Sequence, residues 1–86
     1  MFVILVYDVE VKRVSRVLKI ARKYLTWVQN SVLEGELTRA QFVRLKEELE
    51  REIEEEKDSV IFYILRHEGL VQREQLGYEK SPGDIL

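Results

Sequence analysis

Residues 28–37, VQNSVLEGEL, restrict the possible folds of this chain more than any other stretch. Trp27, Val28 and Gln29 read as a short strand, Asn30-Ser31 supplies a turn, and Val32-Leu33 resumes the extended pattern before a break at Gly35. Leu37-Thr38 then opens a helix. Helical periods flank this segment on both sides, so two brief strands folded back on one another must join two helices. In a chain of 86 residues, one small domain with a single core, few topologies allow that.

The flanking segments complete the pattern. Residues 2–9 form a strand with Val3, Leu5 and Tyr7 on one face and Phe2, Ile4, Val6 and Asp8 on the other. Residues 11–25 follow a helical period in which Val14, Val17, Leu18, Ala21 and Leu25 make the buried stripe. Lys12, Arg16, Lys19 and Lys23 recur on another face, with Arg13 and Arg22 flanking. The second helix carries a capping box in Thr38 and Gln41 and a hydrophobic staple in Leu37 and Phe42, and Phe42, Leu45, Leu49 and Ile53 continue its buried stripe. Residues 47–57 are mostly charged, so its last turns are expected to project into water. Asp58-Ser59 breaks the helix, and residues 60–65 form a strand apolar on both faces.

Strand, helix, strand, strand, helix, strand is the α+β, ferredoxin-like βαββαβ sandwich, with two helices on one face of an antiparallel sheet. Residues 66–70 read as loop, with His67 on the surface. Residues 71–78 form a short additional C-terminal strand, weakened by Gly77, that extends its own sheet or a neighbour's edge. The domain is expected to span residues 1–78, with a polar tail at 79–86.

Strands that are apolar on both faces need cover on both. The helices supply one side, and leaving the other wet would forgo several kcal/mol at roughly 25 cal/mol per Å2. A second copy, sheet facing sheet, is the expected cover, with Ile4, Val6 and Asp8 at the homodimer interface. The absence of cysteine excludes disulfides, thiolate metal sites and thiol nucleophiles, and a single His excludes paired imidazoles within a chain. The apolar start is too short for a membrane span or signal peptide, which gives a cytoplasmic expectation with no membrane partner. Net charge is −2, but residues 1–46 carry a net +5 and residues 47–86 a net −7, so an anionic partner must meet the first half.

Tyr7-Asp8-Val9, Arg13 opening the first helix, the run from Tyr24 to Leu37, Asp58-Ser59-Val60 and Leu76-Gly77-Tyr78-Glu79-Lys80 together resemble the Cas-two family, the small CRISPR-associated proteins of spacer acquisition. Leu33 stands where the family usually has Phe, one apolar side chain for another. The resemblance implies a ferredoxin-like fold, a symmetric homodimer and a C-terminal strand paired across it. It also implies a bridge between two dimers of the CRISPR integrase, Cas one, with prespacer duplex DNA lying across the assembly. Some members are assigned metal-dependent endonuclease activity on single-stranded RNA or double-stranded DNA, with the metal on the aspartate that is Asp8 here.

Two roles are open to Asp8. As a metal ligand and catalytic carboxylate it would share Mg2+ with its copy near a two-fold axis, because one carboxylate per chain requires a composite site. As a turn residue it would bond backbone donors where strand meets helix. Lys12, Arg13, Arg16, Lys19 and Lys23 are the candidate nucleic-acid contacts, against the alternative of an ordinary solvated face. Trp27 and Tyr7 could stack on bases, but aromatics in strands more often serve core or interface. Ser31 is read as a turn residue and not a nucleophile, and the acidic run 47–58 as a charged helix end or a surface for a basic protein. The adaptor and the Mg2+-dependent endonuclease are the competing functions; a small-ligand regulatory module has no supporting motif.

Overall fold

The computed structural model describes residues 1–66 and 71–78. Its elements run β1 (Phe2–Asp8), α1 (Val11–Ala21), β2 (Thr26–Gln29), β3 (Val32–Glu36), α2 (Arg39–Glu52), β4 (Ser59–Leu65) and β5 (Val71–Gly77). The strands form one antiparallel sheet in the order β2-β3-β1-β4-β5, a ferredoxin-like sheet with one strand added beyond β4. Val3, Leu5, Tyr7, Leu33, Val60, Phe62 and Ile64 share a core with Val17 and Ala21 of α1 and Phe42, Leu45 and Leu49 of α2. Leu33 is fully buried in that core. Among the described residues no helix is long and apolar enough to cross a membrane. His67 and the tail 79–86 lie outside the described residues.

Helix α1 ends four residues earlier than the apolar period suggests. The amides of Lys23 and Tyr24 donate to the Ile20 and Ala21 carbonyls, tightening the last turn. The Leu25 amide also bonds the Ala21 carbonyl, so Leu25 stays in the core from outside the helix. At α2, the Gln41 amide donates to Thr38 Oγ1 at 3.1 Å and Thr38 N–H to Gln41 Oε1 at 2.9 Å. Leu37 and Phe42 are both buried, and Phe42 meets Phe62 edge-on with centroids 5.2 Å apart. Between β2 and β3, Asn30 takes a positive φ of 39°, a conformation its short polar side chain tolerates in turns.

The added strand bears on two expectations. Of the two placements open to the C-terminal strand, its own sheet or a neighbour's edge, the single chain shows the first, with β5 lying on the chain's own β4 from Ser59↔Gly77 to Leu65↔Val71. There it satisfies the backbone edge that β4 would otherwise expose. The sheet face opposite the helices is also less bare than its sequence implies. Val6 is 6% and Ile61 2% exposed, while Phe2, Ile4, Tyr63 and Leu65 are half-buried. Gln75 and Arg73 stand opposite Ile61 and Tyr63, bond to one another, and Gln75 reaches Ser59 Oγ at 3.2 Å and the Tyr78 carbonyl. Polar side chains of β5 therefore border the apolar strip.

Candidate functional site

Asp8 ends β1 on the face opposite the helices, in line with Ile4 and Val6 and directly across from Ser59 of β4. The chain leaves the sheet at Val9 and enters α1 through Glu10, which keeps an extended backbone (φ −61°, ψ 146°). Among the described residues, no three His, Cys, Asp or Glu side chains gather in a way that could hold a metal ion. One chain thus brings a single carboxylate to this position. Mg2+ is held by one or two carboxylates and retains its waters, so this donor set is the minimum such an ion uses, and a second copy meeting it here would supply the other carboxylate.

Arg13 does not lie on the basic face. It is 8% exposed, and its guanidinium is bound by three carboxylates. Nε and Nη2 clamp Asp58, the second at 2.9 Å; Nη2 also reaches Glu10 at 2.8 Å, and Nη1 meets Glu54 at 3.0 Å. Asp58 itself is fully buried and accepts the amides of Glu10 and Glu54, each at 2.9 Å. Burial alone would raise the Asp58 carboxyl, but the bonds from Arg13 and the two amides outweigh it and hold the group below the ordinary carboxylate range. The same carboxylate raises the Arg13 guanidinium further, against burial, with help from Glu10 and Glu54. The expected phosphate contact at Arg13 is thereby corrected to a structural ion pair. It pins the connection that follows Asp8 to the end of α2 and the start of β4.

The remaining cations divide into two groups. Lys23 is tied to Glu48, which also accepts the Tyr24 hydroxyl; bonds from Lys23 and Tyr24 lower the Glu48 carboxyl. Arg16 is exposed and meets Glu52 at 3.2 Å, an exposed pair worth little. Lys12 and Lys19 are exposed. Lys12, Arg16 and Lys19 therefore make the solvent-facing row.

Two positions were missed or underrated in the sequence. Asp58 reads there as a residue ending a helix, yet it is the buried anchor of this end of the molecule. Tyr7 is buried as expected, with burial raising its hydroxyl, but Trp27 is 46% exposed on the edge strand. Its Nε1–H donates to the Asn30 carbonyl at 2.8 Å, and Arg22 lies 5.8 Å from the ring centroid.

The family model described as CRISPR associated protein Cas2 matches residues 1–73. A protein named CRISPR-associated endoribonuclease Cas2 from Dictyoglomus turgidum is 58% identical over 81 residues, covering 94% of this chain and 93% of that protein. One of the same name from Thermotoga maritima is 56% identical over 86 residues, covering 100% and 99%. Among solved structures, one titled "Crystal structure of cas2" aligns with a TM-score of 0.73 at 48% identity, covering 95% of this chain and 92% of that one. Streptococcus pyogenes Cas2 aligns with a TM-score of 0.71 at 39% identity, covering 79% and 89%. A family match across the first strand, the hairpin and the Arg13–Asp58 clamp leaves one conclusion: the chain belongs to the CRISPR-associated Cas2 family.

Proposed function

We propose that this chain works in CRISPR spacer acquisition as a dimeric adaptor. Two copies would meet through the strip of Phe2, Ile4, Tyr63 and Leu65, hold dimers of the integrase Cas one at a fixed separation, and carry prespacer duplex DNA along α1. The observation that carries this reading, given the family, is the solvent-facing row of Lys12, Arg16 and Lys19. It spans roughly 10 Å of helix, enough to follow neighbouring phosphates without reading sequence. Replacing all three with alanine is expected to weaken duplex binding and to reduce the steepness of its salt dependence by about 3 in log–log slope. Fluorescence anisotropy between 50 and 200 mM salt measures both. Affinity unchanged at low salt would remove this row from the interface.

The second reading, a Mg2+-dependent endonuclease acting on single-stranded RNA or double-stranded DNA, is favoured by the names of the relatives and by the position of Asp8. Asp8 and its counterpart in a second copy would hold the ion, which when bound supplies a Lewis acid and an activated water. The Arg13–Asp58 clamp fixes the backbone two residues beyond Asp8 and so holds its carboxylate at the strand end. Asp8→Asn keeps the size and removes the charge. Under the nuclease reading, cleavage by rigorously purified protein disappears in this variant; under the adaptor reading, spacer integration persists at close to the wild-type level. Loss of integration with dimerisation and DNA binding intact would count against a purely architectural role.

A further inference from the structure

We propose that Trp27, backed by Arg22, is a stacking site for an unpaired nucleobase at the end of the basic face of α1. The inference rests on the nucleic-acid reading above and extends it from duplex backbone to single-stranded base.

Trp27 pairs with Leu33 in register, and Leu33 lies under the helices, so the indole is on the helix side of the sheet, just beyond the core. There it is 46% exposed, and neighbouring Val28 is 50% exposed. An indole excluded from the core forgoes much of the burial that usually justifies its size. It is nevertheless held in place. Its only donor, Nε1–H, is bonded to the Asn30 carbonyl at 2.8 Å, and Asn30 is fixed by the tight turn between β2 and β3. The ring therefore presents a π surface without a free hydrogen-bonding group, and little side-chain freedom remains to be lost on binding.

The charge around it selects the occupant. Arg22 lies over the ring, and Arg22 also borders a depression of about 300 Å3 lined by Ser15, Leu18 and Lys19. Cations beside an exposed aromatic are the elements of a single-strand platform, in which every base offers a π face and the backbone meets positive charge. Within a duplex the bases stay stacked on one another, so away from a duplex end only an unpaired base can use Trp27. RNA and DNA share that chemistry.

Trp27 is the only tryptophan in the chain, so its emission reports on this one site. The test titrates the full-length protein with oligo-U RNA, oligo-dT and a blunt duplex, following tryptophan emission together with anisotropy of labelled strands. Single strands are expected to quench the emission saturably. Trp27→Ala is expected to weaken single-strand binding about tenfold and duplex binding less than twofold, with Trp27→Phe restoring most of the loss. Quenching by RNA, DNA or both supports the site and identifies the sugar it accepts. The proposal is overturned if single strands fail to bind, if they bind without changing the emission, or if Trp27→Ala weakens single-strand and duplex binding equally. It is also overturned if Trp27→Ala only shifts the oligomer measured by light scattering, which would make the edge a protein contact. If the duplex does not bind while single strands still quench Trp27, the adaptor reading fails and this site stands.

Discussion

Asp58→Ala is expected to destabilise the fold by about 3–5 kcal/mol, the cost of leaving one partner of a buried ion pair without the other. In a domain of this size that lowers the melting temperature by roughly 15 °C or more. The carboxylate accepts from Arg13 at two positions and from the Glu10 and Glu54 amides, so its removal leaves the inner edge of a buried guanidinium facing a cavity and two part-buried amides without their acceptor, with only the half-exposed Glu10 and Glu54 still pairing Arg13. Arg13→Met combined with Asp58→Leu should recover only part of the loss, because the two amides still lack an acceptor. Calorimetry on the single and double variants separates these contributions. Acid gives an independent reading. A carboxyl held below its unfolded-state value stabilises the fold fully above the ordinary Asp range and loses that contribution as pH falls through the depressed value. The melting temperature is therefore expected to drop below about pH 4, and Asp58→Asn should flatten that branch. The slope that remains would report Glu48, which is lowered in the same sense by Lys23 and Tyr24.

Gly77→Ala should detach the end of β5. Gly77 has φ +88°, and a Cβ there would lie 1.8 Å from the Asp58 carbonyl oxygen and 2.7 Å from its carbon. Those neighbours are backbone, which cannot swing aside. The left-handed conformation alone costs a non-glycine residue about 1–3 kcal/mol, and relief of the clash requires giving up the Tyr78 N–H bond to Asp58. Hydrogen exchange is expected to show faster exchange of the amides of residues 75–78, with β1 and β3 unchanged. Gly35→Ala is the control: its Cβ would meet the flexible Leu25 Cδ2 at 3.3 Å, so a small change is expected. Equal protection of residues 75–78 in the two variants would contradict the close approach.

The fold was legible because its signals are local. Short continuous apolar runs marked β1 and β4, the Thr38–Gln41 box marked the start of α2, and the Asn30-Ser31 turn set the hairpin. Arg13 was misassigned because a cation was read by its charge when its position held the information. It stands four residues before Val17 and eight before Ala21, on the buried stripe. Its partner Asp58 is 45 residues away, beyond what any periodicity reports. Asp8 was placed correctly on its face, since strand alternation needs only the strand itself. The exposure of Trp27 was not legible: it follows from β2 being an edge strand, and that depends on the whole sheet order. The shielding of Val6 and Ile61 likewise waited on where β5 pairs.

The capping box at α2 bears on the order of events during refolding. Four consecutive residues close the start of that helix, so it can form before any distant part of the chain is in place. β1, by contrast, meets β4 across fifty or more intervening positions, and the Asp58 clamp likewise needs a closure over 45 residues. A clamp that closes after the barrier acts as a latch, so Asp58→Ala is expected to speed unfolding far more than it slows refolding, which stopped-flow measurement of both rates checks.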